Sequence, residues 1–144
     1  MPPLYKQRQK TEYKRPRFLN AVSAVIILLV AAAAYAAYAL WPVYSLRSEV
    51  DNELAGALPD LWRYNLRPDA VALPELVKIK QRLIDRLREV GVKDPRLGVT
   101  LIRGAKVVAI EARFTTTAVF PWWEKRVDFT MTPRAETDAA RIKW

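Results

Sequence analysis

A chain of 144 residues carrying 24 Lys and Arg against 15 Asp and Glu, net charge +9, has room for one small folded domain besides its N-terminal segment. It contains no His and no Cys, which excludes disulfides, thiolate or imidazole metal ligands, imidazole general bases and His-ligated haem. The only serines are Ser23, Ser45 and Ser48, none with a base to activate it, so no catalytic residue, cofactor site or metal site is expected and the chain reads as a non-enzyme.

Residues 1–17 hold Lys6, Arg8, Lys10, Lys14, Arg15 and Arg17 against Glu12. Tyr5 and Tyr13 interleave with these cations as they do in nucleic-acid-binding tails. Attraction to anionic lipid headgroups, worth about 1 kcal/mol per basic residue at the surface, accounts for the same pattern, so lipid is the expected partner and nucleic acid is not.

Residues 18–46 carry no charge, and about 20 apolar residues in a helix cross roughly 30 Å of hydrocarbon. A transmembrane helix is expected over residues 18–41. Arg15 and Arg17 mark its near interface, and Trp41 and Tyr44, with rings that favour the headgroup layer, mark the far one. The excess of Lys and Arg before the span puts the N-terminus in the cytoplasm and the rest outside, which in a bacterium means an inner-membrane protein with a periplasmic domain. A cleaved signal peptide is the competing reading, with small-x-small sites at residues 34–36 and 37–39, before Leu40. The Ala-rich half of the span, broken by Tyr35 and Tyr38, would let another helix approach closely, making both tyrosines candidate contacts with other membrane proteins.

Val43, Leu46, Val50, Leu54 and Leu58 recur at spacings of three and four, so the helix is expected to continue over residues 42–58 as an amphipathic stalk, with Pro42 as a hinge and Gly56 and Pro59 as its end. Glu49, Asp51 and Glu53 form a carboxylate group on this stretch. They could serve acid-base chemistry or a hard cation, but no glycine-turn ligand loop surrounds them and they read as solvated charge. A small α+β domain is expected over residues 59–132. It would open with an irregular connection at 59–73, in which Leu61, Trp62 and Tyr64 still pack on the core.

A second helix follows, with Pro74 at its first position and Leu76, Ile79, Leu83, Leu87 and Val90 on one face, broadened by Val77 and Ile84, before Gly91 as C-cap. Its opposite face offers the pairs Arg82 with Asp85 and Asp85 with Arg88.

From Leu97 the period changes to two, with a turn at residues 103–106, a strand carrying Val108, Ile110, Ala112 and Phe114 on one face, and a third strand with Val127, Phe129 and Met131. The fold class is therefore α+β, with the second amphipathic helix packed on a three-stranded antiparallel meander. Residues 133–144 read as a loose tail. Pro121-Trp122-Trp123-Glu124 interrupts the second and third strands. Because successive strand residues face opposite ways, one indole should point outward, toward a partner or a membrane surface, unless a bulge or loop at Pro121 lets both rings pack into the core. Trp62 is a weaker candidate of the same kind.

Trp41-Pro42-Val43-Tyr44 after the span, a helix ending at Gly91, and a terminal meander with Arg103, Phe114, Pro121 and Phe129 resemble a family of small bacterial single-pass proteins of uncharacterised function with a pilin-like plan. The resemblance implies that plan and no activity. Pilins proper would add a small residue before the apolar segment and a Glu five residues into it, and residues 17–22, Arg-Phe-Leu-Asn-Ala-Val, have neither. The function these features suggest is an accessory or assembly subunit of a larger membrane complex. A lipid- or ligand-sensing module and a minor filament component are the alternatives.

Overall fold

The computed structural model describes residues 21–138. The expectations for the basic tail, for Arg15 and Arg17, and for residues 139–144 lie outside them. The chain divides into two compact units, Met1–Tyr35 and Ala36–Trp144. Its elements are two helices, α1 (Ala21–Asn65) and α2 (Asp69–Val90), and four strands, β1 (Gly98–Ile102), β2 (Val107–Phe120), β3 (Lys125–Met131) and β4 (Arg134–Asp138). The fold is thus α+β: a long helix that starts in the apolar segment, a second helix and an antiparallel sheet.

In the first unit, α1 contributes apolar side chains that stand open, and this helix is long and apolar enough to cross a membrane. In the second unit, the spacing read from sequence becomes a buried stripe. Val50, Leu54, Ala57, Leu58 and Leu61 of α1 join Leu76, Leu83 and Leu87 of α2 and Val99, Val108, Ile110, Ala112 and Phe114 of the sheet in one core. Residues 42–58 are therefore a layer of the domain itself. Their acidic side chains stay at its surface, where Asp51 lies 3.9 Å from Arg47 and Glu53 lies 3.7 Å from Arg86, contacts worth under about 1 kcal/mol each.

Two helix boundaries differ from expectation. Gly56 and Pro59 do not end α1, which runs on to Asn65, and Pro74 does not open α2, which begins at Asp69. The connection expected over residues 59–73 shrinks to residues 66–68. A proline inside a helix forfeits one hydrogen bond and crowds the preceding turn, but Leu58 and Leu61 around Pro59, and Ala72 and Leu76 around Pro74, are buried. That burial outweighs the local preference. Trp62 and Tyr64 do pack against the core, whereas Val77 is exposed and does not broaden the buried face of α2. Asp85 accepts from Gln81 at 3.1 Å.

The end of α2 follows the sequence closely. Gly91 sits at φ 119°, its N–H donates to the Arg88 carbonyl, and the Val92 N–H donates back to Leu87 at 3.0 Å. This six-to-one and five-to-two pair closes the helix with a left-handed residue that glycine adopts without strain.

β2 is the spine of the sheet. Its first half pairs with β1 on one edge, Gly98↔Arg113 to Ile102↔Ala109. On the other edge β3 and β4 follow one another in a single register, Phe114↔Met131 continuing to Glu111↔Arg134. Between them Pro133 lacks an N–H, yet its carbonyl accepts from the Ala112 N–H at 3.0 Å, so the proline splits the third strand without shifting it. Residues 134–138, expected to be loose, are therefore strand. Their pairing with the buried first half of β2 outweighs their polar composition.

Candidate functional site

The second half of β2 sets the site. Beyond Arg113 the β1 edge is spent, and Asp94, in the loop after α2, takes over: its carboxylate accepts from the Arg96 N–H at 2.8 Å and from the Thr115 N–H at 2.6 Å. Residues 114–120 then continue paired only with β3, forming a hairpin that closes at residues 121–124. The Trp123 N–H donates to the Phe120 carbonyl at 3.1 Å, and Glu124 completes the turn at φ 48°, a left-handed position following a tight turn, as four-residue hairpin loops commonly have. On the face away from Ala118, Thr117 donates to Asp128 at 2.6 Å.

These backbone donors, first Arg96 and then Thr115, hold the Asp94 carboxyl below the usual carboxylate range. A group whose pKa is depressed by folding adds stability above its unfolded pKa and loses it as the pH falls through its folded pKa. Stability should therefore decline from about pH 4 downward. Asp94→Asn should be less stable than the parent at neutral pH and should lose this part of the acid dependence, as read by urea unfolding at a series of pH values.

Along the open side of the hairpin runs a groove of about 670 Å³. Its walls are residues 37–39, Trp41 and Pro42 of α1, and residues 117–119 with Pro121. No charged side chain lines it, so it can accept apolar matter. Among the described residues there is also no group of three or more His, Cys, Asp or Glu that could hold a metal ion.

The sequence candidates fall into three groups. Tyr38, Trp41 and Pro42 meet the base of the hairpin turn across the groove. Trp122 and Trp123, in the turn itself, are 83% and 72% exposed, so both indoles point outward where one was expected. The reason is that neither lies in a strand: both belong to the turn, where the alternation of faces lapses. Tyr44 is exposed, while Tyr35 is half-buried. Trp62 stands apart from all three, because it leans on the core. Pro42 lies within the continuous helix, and the Ser45 hydroxyl donates to its carbonyl at 3.2 Å. Residues 117–119 were not singled out from the sequence. Their Thr-Ala-Val composition reads as ordinary strand, and only the pairing of β2 brings them to the helix.

No family model, curated protein or solved structure matches the chain.

Proposed function

We propose that this chain is a single-pass protein of the bacterial inner membrane, N-terminus in the cytoplasm and α+β domain in the periplasm, serving as a non-catalytic accessory or assembly subunit of a larger membrane complex. The observation that carries the reading is the exposed apolar surface of α1: the Val, Ile and Leu side chains of residues 22–30 are 55–69% exposed, a surface that lipid or other apolar helices would cover. The excess of Lys and Arg before the apolar run supports the orientation, and the alanines of residues 31–34 support close approach of a partner helix.

An alkaline phosphatase fused to the C-terminus should be active in intact cells, and inactivity there would overturn the orientation. Extraction of the tagged chain from its native membrane in mild detergent should bring a stoichiometric membrane protein with it, identified by mass spectrometry. Ala34→Leu should release that protein by crowding the helix contact. A chain that elutes alone sinks the subunit reading. The groove favours one second reading, a module that takes up lipid, and a phospholipid retained at one per chain after delipidating chromatography would support it.

A further inference from the structure

The base of the hairpin turn and the end of the apolar run face each other across the groove. An apolar run that begins after Arg17 and needs about 20 residues to cross the hydrocarbon reaches its far boundary near residues 37–41. Those residues form one wall of the groove, and Val119 and Pro121 at the base of the hairpin turn form the other. The turn therefore lies beside the part of the chain that follows the apolar run. We propose that the hairpin is a second membrane anchor, with Trp122 and Trp123 seated among the lipid headgroups and the groove filled by the lipid surface; this rests on α1 spanning the membrane.

The side chains at the tip suit that position. Trp122 and Trp123 are 83% and 72% exposed, and Tyr38 and Trp41 across the groove are 74% and 71% exposed. An indole combines a large apolar body with one N–H donor, and Trp and Tyr collect at membrane interfaces for that reason. Lys125 and Arg126, both exposed, follow directly on β3, where cations meet anionic headgroups. By register Ala118 opposes Val127 and Thr116 opposes Phe129, so the face that the hairpin turns toward the groove is largely apolar, and Val127 is open at 39%. Glu124, held at φ 48°, fixes the turn that presents both indoles.

A cysteine-free chain allows a clean test. Single cysteines at Trp123, at Lys125, at Leu28 in the apolar run and at Lys106 in the β1–β2 turn are labelled with an environment-sensitive fluorophore. The full-length protein is then reconstituted into phosphatidylcholine and phosphatidylglycerol vesicles. Labels at 123 and 125 should shift to the blue and be quenched several-fold more by lipids carrying a nitroxide near the headgroup than by a water-soluble quencher, while the label at 106 behaves the opposite way. Lys125→Cys keeps both tryptophans, so the outcome does not hang on whether Trp123→Cys folds. If the label at 28 is quenched by lipid but those at 123 and 125 report water, the hairpin is no anchor and the spanning reading stands. If the label at 28 also reports water, both fall. Because the vesicles contain no other protein, a hairpin that contacts a protein partner instead would report water here and overturn the proposal.

Discussion

Phe114→Ala should cost about 3–5 kcal/mol of domain stability, measured on the full chain in detergent by urea unfolding followed by near-ultraviolet circular dichroism. Phe114 is 1% exposed and is among the largest fully buried side chains. It stands where β2 exchanges partners: Arg113 is the last residue paired with β1, and Phe114 the first paired with β3. Truncating it removes apolar contact and leaves a cavity that the surrounding helices and strands can only partly close. It also loosens the base of the hairpin, so increased amide exchange in β3 should accompany the lost stability. Phe114→Leu, which keeps most of the volume, should cost about 1 kcal/mol. A Phe114→Ala variant within 1 kcal/mol of the parent would mean that the sheet is not held to the helices at this point.

Arg103→Met should cost about 2–4 kcal/mol, an effect out of proportion to a residue in a surface turn. Its guanidinium ends α1: Nη1 donates to Asp69 at 2.9 Å, and Nη2 donates to the carbonyls of Arg67, Asn65 and Tyr64 at 3.0, 3.1 and 3.3 Å. The last carbonyls of a helix have no partner within it and form the negative end of its dipole, so a cation there is doubly favoured. Asn65 returns the contact, donating to the Gly104 carbonyl at 2.9 Å. The β1–β2 turn is thereby tied to the elbow between the helices. Removing the cation takes the donor from the part-buried Asn65 carbonyl, a loss of about 1–3 kcal/mol unless water reaches it, while the Tyr64 carbonyl keeps the Arg67 N–H at 3.3 Å and the Arg67 carbonyl is exposed to water. Arg103→Lys should recover little, because one ammonium cannot reproduce the planar fork. Asp69→Asn should cost under 1 kcal/mol, since Asp69 is 76% exposed and its ion pair is screened. Equal losses for Arg103→Met and Asp69→Asn would assign the effect to the ion pair and remove the cap.

The two predictions divide what the residues announce from what they conceal. Phe114 was legible in the sequence: its place in the alternation Val108, Ile110, Ala112, Phe114 marks it as inward, because the period of a strand is local geometry. The three- and four-residue spacing of Val43, Leu46, Val50, Leu54 and Leu58, the uncharged run of the apolar helix and the Gly91 cap were legible for the same reason. Each depends on neighbours within about two turns of one another. Arg103 was legible only as a turn residue. Its role depends on residues 64–69, more than thirty positions away, and no local pattern says that a helix end will stop beside that turn.

Long-range packing likewise decided the places where local rules gave way. Gly56, Pro59 and Pro74 are helix breakers by their own chemistry, yet buried neighbours on both sides carry the helix through them. Residues 134–138 are too polar to predict as strand, and they become one because β2 has an edge left to fill. The candidate site divides in the same way. Trp41, Tyr44, Trp122 and Trp123 could be named from composition and position alone. That the hairpin tip comes to the end of the apolar helix follows only from the register of β2, which extends beyond β1 and carries residues 117–121 to the groove. The sequence by itself determined the apolar helix, the amphipathic faces and the alternating strands, because these rest on the chemistry of adjacent residues. The tertiary structure decided where helices end, which turn caps which helix and what meets across the groove, because those depend on segments distant in the chain burying surface against one another.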